Sequence, residues 1–405
     1  LFLRSIIQLN MPINTQVPDQ QGFSLKKSYI LNIQKTYKSI EILGTVLIKC
    51  YIIQFFKRTF RTAFQIITVL IASKKVILMI NPLIKNAYKV LDGEELTRSE
   101  ALELGKAIDG SDILDLVSLA NKVRAKFSGA FIACSIINAK SGVCSQNCKF
   151  CAQSAHHNTE IEAYPLLEQE KVIEAAGAIA ATDVAFFGYV TSGFGYLEVN
   201  DEFKKILATL DELHKRYPKL NLCVSLGILS RETAKMLAEH HVRRYNMNLQ
   251  VAPHRYADLI ATTHTIEDKI QTIKYLQEFG VEICCGGILG LGETMSDRIE
   301  MALTVRELKV HGTPLNVLVP IKGTPLESQE PITPAEVAKS FAMFRIINPA
   351  NQIKFAAGRE SVMKDFMGLL MLSGLDSMMT GGYLTIRGRS IDEDSKFIRE
   401  LEDFS

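Results

Sequence analysis

Residues 141–154 read SGVCSQNCKFCAQS and set Cys144, Cys148 and Cys151 in a Cys-x3-Cys-x2-Cys triplet. Three thiolates this close together can occupy three corners of a cubane [4Fe–4S] cluster. The fourth iron then lacks a protein ligand, and an open position on a metal is where a small molecule can dock, as on catalytic zinc. A zinc knuckle is the alternative reading, but no fourth Cys or His stands at knuckle spacing; His156 and His157 are the nearest. Gly142 allows the backbone to turn sharply just before the first thiol.

Outward from the triplet, short β-rich runs alternate with amphipathic helical stretches. Strands are expected at 131–137, 184–187, 220–226, 245–249, 282–287, 315–319, 353–356 and 377–379. Helices are expected at 168–181, 203–216, 231–239, 266–279, 294–309, 333–348 and 361–373. Before them, Thr97 with Glu100 three residues on forms a capping box, and 112–127 carries an apolar helical stripe. Eight strands with intervening helices over about 250 residues predict an α/β fold, a (β/α)8 TIM-type barrel with N-terminal helices. Cys144 follows the first strand, at the carboxyl end of the barrel, where such folds carry their active sites.

Composition narrows the function classes. The 405 residues are 47% hydrophobic and 22% charged, with net charge +2, so there is no electrostatic case for nucleic acid. Eight cysteines, three of them clustered, suit metal chemistry in a reducing, cytoplasmic setting better than a disulfide framework. Residues 1–78 differ in kind: they are basic, rich in Ile and Phe, and hold two acids, Asp19 and Glu41. No apolar run there reaches the ~20 residues a membrane span needs. The expectation is a leader added by a gene model that starts upstream of Met79, with a targeting segment or an arm as alternatives; residues 79–405 form the barrel domain. Cys50, in that leader, is given no role.

Beyond the triplet, CSIINAKSGVCSQNCKFCAQSAHH, YNMNLQ, CCGGILGLGET, LNVLVPIKGTPL, AAGRE and MTGGYL follow in this order between about residues 91 and 399. Together they resemble the biotin synthases of the radical S-adenosylmethionine superfamily; the triplet alone carries only the superfamily. The resemblance implies a [4Fe–4S] cluster on Cys144, Cys148 and Cys151 whose open iron binds S-adenosylmethionine. One-electron cleavage would give a 5′-deoxyadenosyl radical that takes hydrogen from dethiobiotin, with sulfur supplied by a second cluster. It implies auxiliary-cluster ligands at Cys223, Cys284 and Arg359. It also implies one at position 186, where this chain has Phe186. Cys134, on the neighbouring first strand, is a physical candidate for the missing ligand, since adjacent strands lie about 4.8 Å apart. Cys134, Cys223, Cys284 and Arg359 come from strands one, three, five and seven, as one barrel layer of four does. With Cys134 in the set, the auxiliary cluster is [2Fe–2S] or larger.

The remaining contacts follow the same resemblance. The segment GGILGLGE would lie against the adenine, with Gly286 and Gly287 permitting close approach and Ile288 an apolar face. Lys269 stands where an arginine usually meets the cofactor carboxylate, keeping the charge but not the bidentate fork. Asn248 and Asn316 would read the ureido ring of dethiobiotin, since a side-chain amide answers both donors and acceptors. Gln250 replaces a usual Asp. Cys285 should face away from Cys284. His156, His157, His264 and His311 read as surface or loop residues. A flavodoxin or ferredoxin electron donor and a homodimer are implied, and no membrane. The alternatives are a related radical maturase of the hydrogenase-cofactor or pyrrolysine type without sulfur insertion, and a non-catalytic metal carrier.

Overall fold

The computed structural model describes residues 80–381 and 389–404, together with Lys35, Ser39 and Lys49. The rest of the expected leader, with Cys50, lies outside the described residues, as do Gly382, Tyr383 and Leu384 of the MTGGYL segment. The chain divides into two units, Leu1–Met79 and Ile80–Ser405.

Eight parallel strands form the centre of the second unit: β1 (Ile132–Lys140), β2 (Phe186–Thr191), β3 (Asn221–Ser225), β4 (Arg244–Asn246), β5 (Glu282–Cys284, resuming at Gly287–Leu289), β6 (Gly312–Val317), β7 (Gln352–Phe355) and β8 (Ser377–Met379). Each pairs with the next, and β8 returns to β1 through Ile132–Ser377 and Cys134–Met379, so the sheet closes. A parallel neighbour can be reached only by a crossover, and the crossovers are helices that cover the outside of the sheet. The helix Asp201–Arg216 shows how the sequence dictates this. Asn200 caps it by accepting from the Phe203 N–H at 2.8 Å, and Phe203, Ile206, Leu207, Leu210 and Leu213 form its buried face. Each such side chain contributes about 1.5–3 kcal/mol on burial.

The expected capping box at Thr97 and Glu100 opens the helix Arg98–Ala107, and Asp112–Phe127 follows. Their apolar faces, including Ala101, Leu104, Leu116 and Leu119, share a core with Leu315, Phe341 and Phe355. Elsewhere the periodicity misleads. The stretch 361–373 reads as one helix, but the chain makes a wide π-type turn at Arg359–Met363, a 3-10 turn at Lys364–Phe366 and a short helix at Met367–Leu372. Lys364 stands at φ +44°, a left-handed conformation that a continuous right-handed helix cannot contain.

Register fixes which residues share a level inside the barrel. Cys134 lies opposite Phe186 and Met379, Cys223 opposite Gly188 and Arg244, and Cys284 opposite Asn246 and Gly312. Lys354 lies opposite Pro314 and Ser377. The odd strands therefore present Cys134, Cys223, Cys284 and Lys354.

Candidate active site

The triplet occupies the loop after β1. Gly142 takes φ +76°, and a Cβ there would stand 2.6 Å from the Ala163 Cβ, so position 142 accepts only glycine without movement. The loop folds back on itself: the Cys144 N–H donates to Gln153 O (2.9 Å), and the Ala155 N–H to Cys144 O (2.8 Å). The Cys151 N–H donates to Cys148 O at 3.0 Å. His156 Nε2 meets Ser145 O and His157 Nε2 meets Cys148 O, each at 3.0 Å. A carbonyl only accepts, so both rings carry their proton on Nε2 and brace the loop. Asn147 ties it to the segment after β4, its Oδ1 accepting from the Thr262 N–H at 3.0 Å and its Nδ2 donating to Thr262 Oγ1 at 2.8 Å.

The three thiols feel one another. Burial pushes the Cys151 thiol up to about 12, with Cys148 and Cys144 adding to the rise. Burial also raises Cys148, where the Lys269 ammonium works in the opposite direction. Lys269 is itself buried, which lowers it; its Nζ donates to Asn248 O at 3.0 Å and lies 5.5 Å from the Tyr256 ring centroid. Among the described residues, no three His, Cys, Asp or Glu side chains converge on a position for a single metal ion. A polynuclear cluster asks for something different, one thiolate on each of several irons. Three soft thiols in one loop, with a cation beside them, fit that demand.

A cavity of about 290 Å³ runs from the triplet loop into the barrel. Phe150 and Cys151 line it, and so do Asn248, Gln250, Ile288 and Asn316, then Cys134, Cys223, Cys284 and Lys354. Cys151 of the triplet and the three barrel cysteines thus border one space. Gln250 has φ +74°, its side chain lines the cavity, and its buried Oε1 has no hydrogen-bond partner among the described residues. Burial pushes the Cys223 thiol up to about 12, helped by Cys284. Burial lowers Lys354, and Cys134, Cys284 and Cys223 raise it in their ionised form, so that the balance lies above the ordinary lysine value.

Several sequence expectations meet a different arrangement. Arg359 does not join the thiol layer. Its Nη2 donates to Asp394 Oδ2 at 2.7 Å and its Nη1 reaches Met378 Sδ at 3.5 Å, and it is absent from the cavity lining. It follows the end of β7, whereas the seventh strand's inward member at this level is Lys354. Phe186, where the family has a ligand, lines the cavity and stacks on Arg244, whose guanidinium carbon lies 4.2 Å from the ring centroid. Arg244 is held by Glu282 (2.6 Å) and Gln352 (2.7 Å). Sequence reasoning missed Lys354, Arg244 and Asn246. A lysine inside the apolar run of β7 was a usable signal, because lysine is almost never buried without a partner. Asn246 was signalled by its spacing of two from Asn248, which puts both on one face.

Gly286 and Gly287 owe their identity to strand packing. A Cβ at Gly286 would stand 2.0 Å from Pro314 O, and one at Gly287 would stand 2.5 Å from Gln250 O and from Met301 Sδ. Neither lines the cavity, whereas the adjacent Ile288 does. Asn316 spends both ends of its amide on backbone, donating to Gly287 O (3.1 Å) and accepting from the Ala357 N–H (3.0 Å). The Asn248 Oδ1 accepts from the Gly286 N–H at 3.1 Å. Cys285 is buried in the outer core, away from the cavity that Cys284 lines. His264 is half-buried in its loop, with the Tyr256 hydroxyl 2.7 Å from its Nε2, and burial holds it down to about 4.

A closed parallel barrel with a three-thiol loop after its first strand defines a class, the radical S-adenosylmethionine proteins, and the Radical SAM superfamily model matches residues 139–305. A second model, the Biotin and Thiamin Synthesis associated domain, matches residues 314–402. The chain is 51% identical over 330 residues to a biotin synthase of Chlorobium phaeobacteroides (strain BS1), covering 80% of this chain and 97% of that one. It is 52% identical over 330 residues to a biotin synthase of Chlorobaculum tepidum, covering 80% and 99%. The chain belongs to the biotin synthase family. Solved structures share the fold at low identity. Methylornithine synthase (PylB) superposes with TM-score 0.68 at 17% identity, over 78% of this chain and 98% of that one. The FeFe-hydrogenase maturase HydG from Carboxydothermus hydrogenoformans gives 0.64 at 19%, over 84% and 83%.

Proposed function

We propose that this chain inserts sulfur into dethiobiotin to form biotin, by radical S-adenosylmethionine chemistry. The observation that carries the reading, beside family membership, is that Cys151 and the set Cys134, Cys223 and Cys284 border one 290 Å³ cavity. A maturase without sulfur insertion has no need of the second thiol set, and a metal carrier has no need of the cavity between them.

Cys144, Cys148 and Cys151 would hold a [4Fe–4S] cluster, and Cys134, Cys223 and Cys284 would hold the auxiliary one. A cluster held there would supply one-electron reducing chemistry to a bound S-adenosylmethionine; the protein supplies position and polarity. Lys269, beside Cys148, meets the cofactor carboxylate. Ile288 gives the adenine an apolar face, and the unpartnered Gln250 oxygen accepts from a hydroxyl. Asn248 keeps its amide N–H2 for substrate, and Asn316 orients the wall through Gly287. The apolar members of the lining, Phe150, Phe186 and Val317 among them, exclude water from the reacting atoms. A flavodoxin or ferredoxin delivers electrons to a cytoplasmic homodimer.

The test is incubation of anaerobically reconstituted protein with dethiobiotin, S-adenosylmethionine and a reductant, with biotin sought by mass. Biotin from the parent chain and none from Cys134→Ala supports the reading. Release of 5′-deoxyadenosine without biotin from the parent chain points to a maturase instead.

A further inference from the structure

We propose that Lys354 is a positioning residue of the auxiliary site: its ammonium donates hydrogen bonds to the sulfur atoms of the Cys134, Cys223 and Cys284 layer and offsets their charge, without itself ligating iron. The role presupposes an auxiliary cluster held by those three thiols.

The buried cations of the barrel carry the inference. Among the described residues four arginines are buried, and each has an acid: Arg244 with Glu282 (2.6 Å), Arg298 with Glu293 (2.6 Å), Arg345 with Asp376 (3.0 Å) and Arg359 with Asp394 (2.7 Å). Lys354, 5% exposed in the middle of β7, shares a cavity wall with thiols where those arginines pair with carboxylates. Cys134, Cys223 and Cys284 line the same cavity as Lys354, one from each of the other odd strands. An uncompensated ammonium in a barrel interior is costly. Three neutral thiols offset little of that cost, whereas three thiolates on iron carry a net negative charge that one ammonium balances.

The chemistry of the group decides between donor and ligand. An ammonium has three N–H donors and no lone pair for iron. The three thiolates already anchor the cluster. The second-strand position that would supply a fourth thiolate is filled by Phe186 on Arg244, and Arg244 is committed to Glu282 and Gln352. Lys354 is therefore the cation available to the sulfur atoms. Hydrogen bonds to sulfur and net charge set the reduction potential of such clusters. Removing the ammonium makes the cluster harder to reduce and leaves its iron in place.

The experiment compares the parent chain with Lys354→Met and Lys354→Arg after anaerobic reconstitution, by iron and sulfide content, Mössbauer spectra and the midpoint potential of the auxiliary cluster. The expected result is parent-like iron and sulfide in both variants, a more negative potential in Lys354→Met, and restoration toward the parent value in Lys354→Arg. Loss of the auxiliary iron in both variants, or an auxiliary iron site changed in spectrum with its potential unmoved, overturns the proposal. If Lys354→Met does not fold, Lys354→Gln, a neutral donor, takes its place with the same expected fall in potential. A parent chain that binds only one cluster removes the auxiliary-site reading itself, a separate outcome read before any variant is made.

Discussion

Replacing Arg359 with alanine separates a structural arginine from a cluster ligand. The guanidinium is buried, and its partner carboxylate on Asp394 is fully so, at 2.7 Å. Among the described residues Asp394 Oδ1 has no hydrogen-bond partner, and Oδ2 has beyond Arg359 the Gly381 N–H at 3.3 Å. Arg359→Ala thus leaves a buried carboxylate almost without compensation, at a cost of roughly 3–5 kcal/mol. In a protein of this size that lowers the Tm by on the order of 5–10 °C. Asp394 belongs to the helix Ile391–Glu402, so the loss also loosens that helix from the barrel and speeds its proteolysis. Removing both charges, in Arg359→Met with Asp394→Leu, recovers most of the stability, because the cost lies in the stranded charge. The assays are thermal unfolding of the apo-protein, and iron and sulfide counts after reconstitution of the same samples. Reduced stability with both clusters retained is expected. Unchanged stability with loss of auxiliary iron would refute the reasoning and return Arg359 to the ligand set.

Other outcomes follow from the same geometry. Cys134→Ala loses auxiliary iron and keeps the triplet cluster, which iron counting and spectra of the two clusters resolve. Gly287→Ala forces a methyl to within 2.5 Å of Gln250 O and Met301 Sδ and destabilises by about 1–3 kcal/mol, measurable by denaturant titration. The thiols of Cys151, Cys223 and Cys285 stand at about 12 against an ordinary 9.0, chiefly through burial. Between those values the unfolded chain binds fewer protons than the folded one, so apo-protein stability falls as pH rises from about 9 toward 12. Urea midpoints that stay flat across that window contradict the burial argument.

Most of the barrel was legible because its signals are local. Short apolar runs, capping residues such as Thr97 and Asn200, and helical stripes such as that of Asp201–Arg216 each act within a few neighbouring residues. The triplet was legible for the same reason, since Cys144, Cys148 and Cys151 share one loop. The auxiliary layer was half legible. Cys223 and Cys284 came from the family resemblance and Cys134 from its place on the strand beside Phe186, but the seventh-strand member depends on how far β7 slides against β6 and β8. That register is set by closure of the whole sheet, so the AAGRE motif drew attention to Arg359, and Lys354, on the strand itself, was signalled only by a charge inside an apolar run. At Gly286 and Gly287 the close backbone approach that the structure shows is to Pro314 and Gln250, partners that no local pattern names. The break after Arg359 escaped because Lys364 adopts a positive φ that no residue type there advertises.

Two iron–sulfur clusters, lying at two thiol sets of one cavity, are the centre of the proposed chemistry. The direct measurement is Mössbauer spectroscopy of iron-57-reconstituted, oxygen-free protein, before and after adding S-adenosylmethionine. Two clusters per chain are predicted, one of them a cubane in which a single iron site changes on addition while the auxiliary spectrum stays as it was. A single cluster, or a cubane indifferent to S-adenosylmethionine, contradicts that prediction.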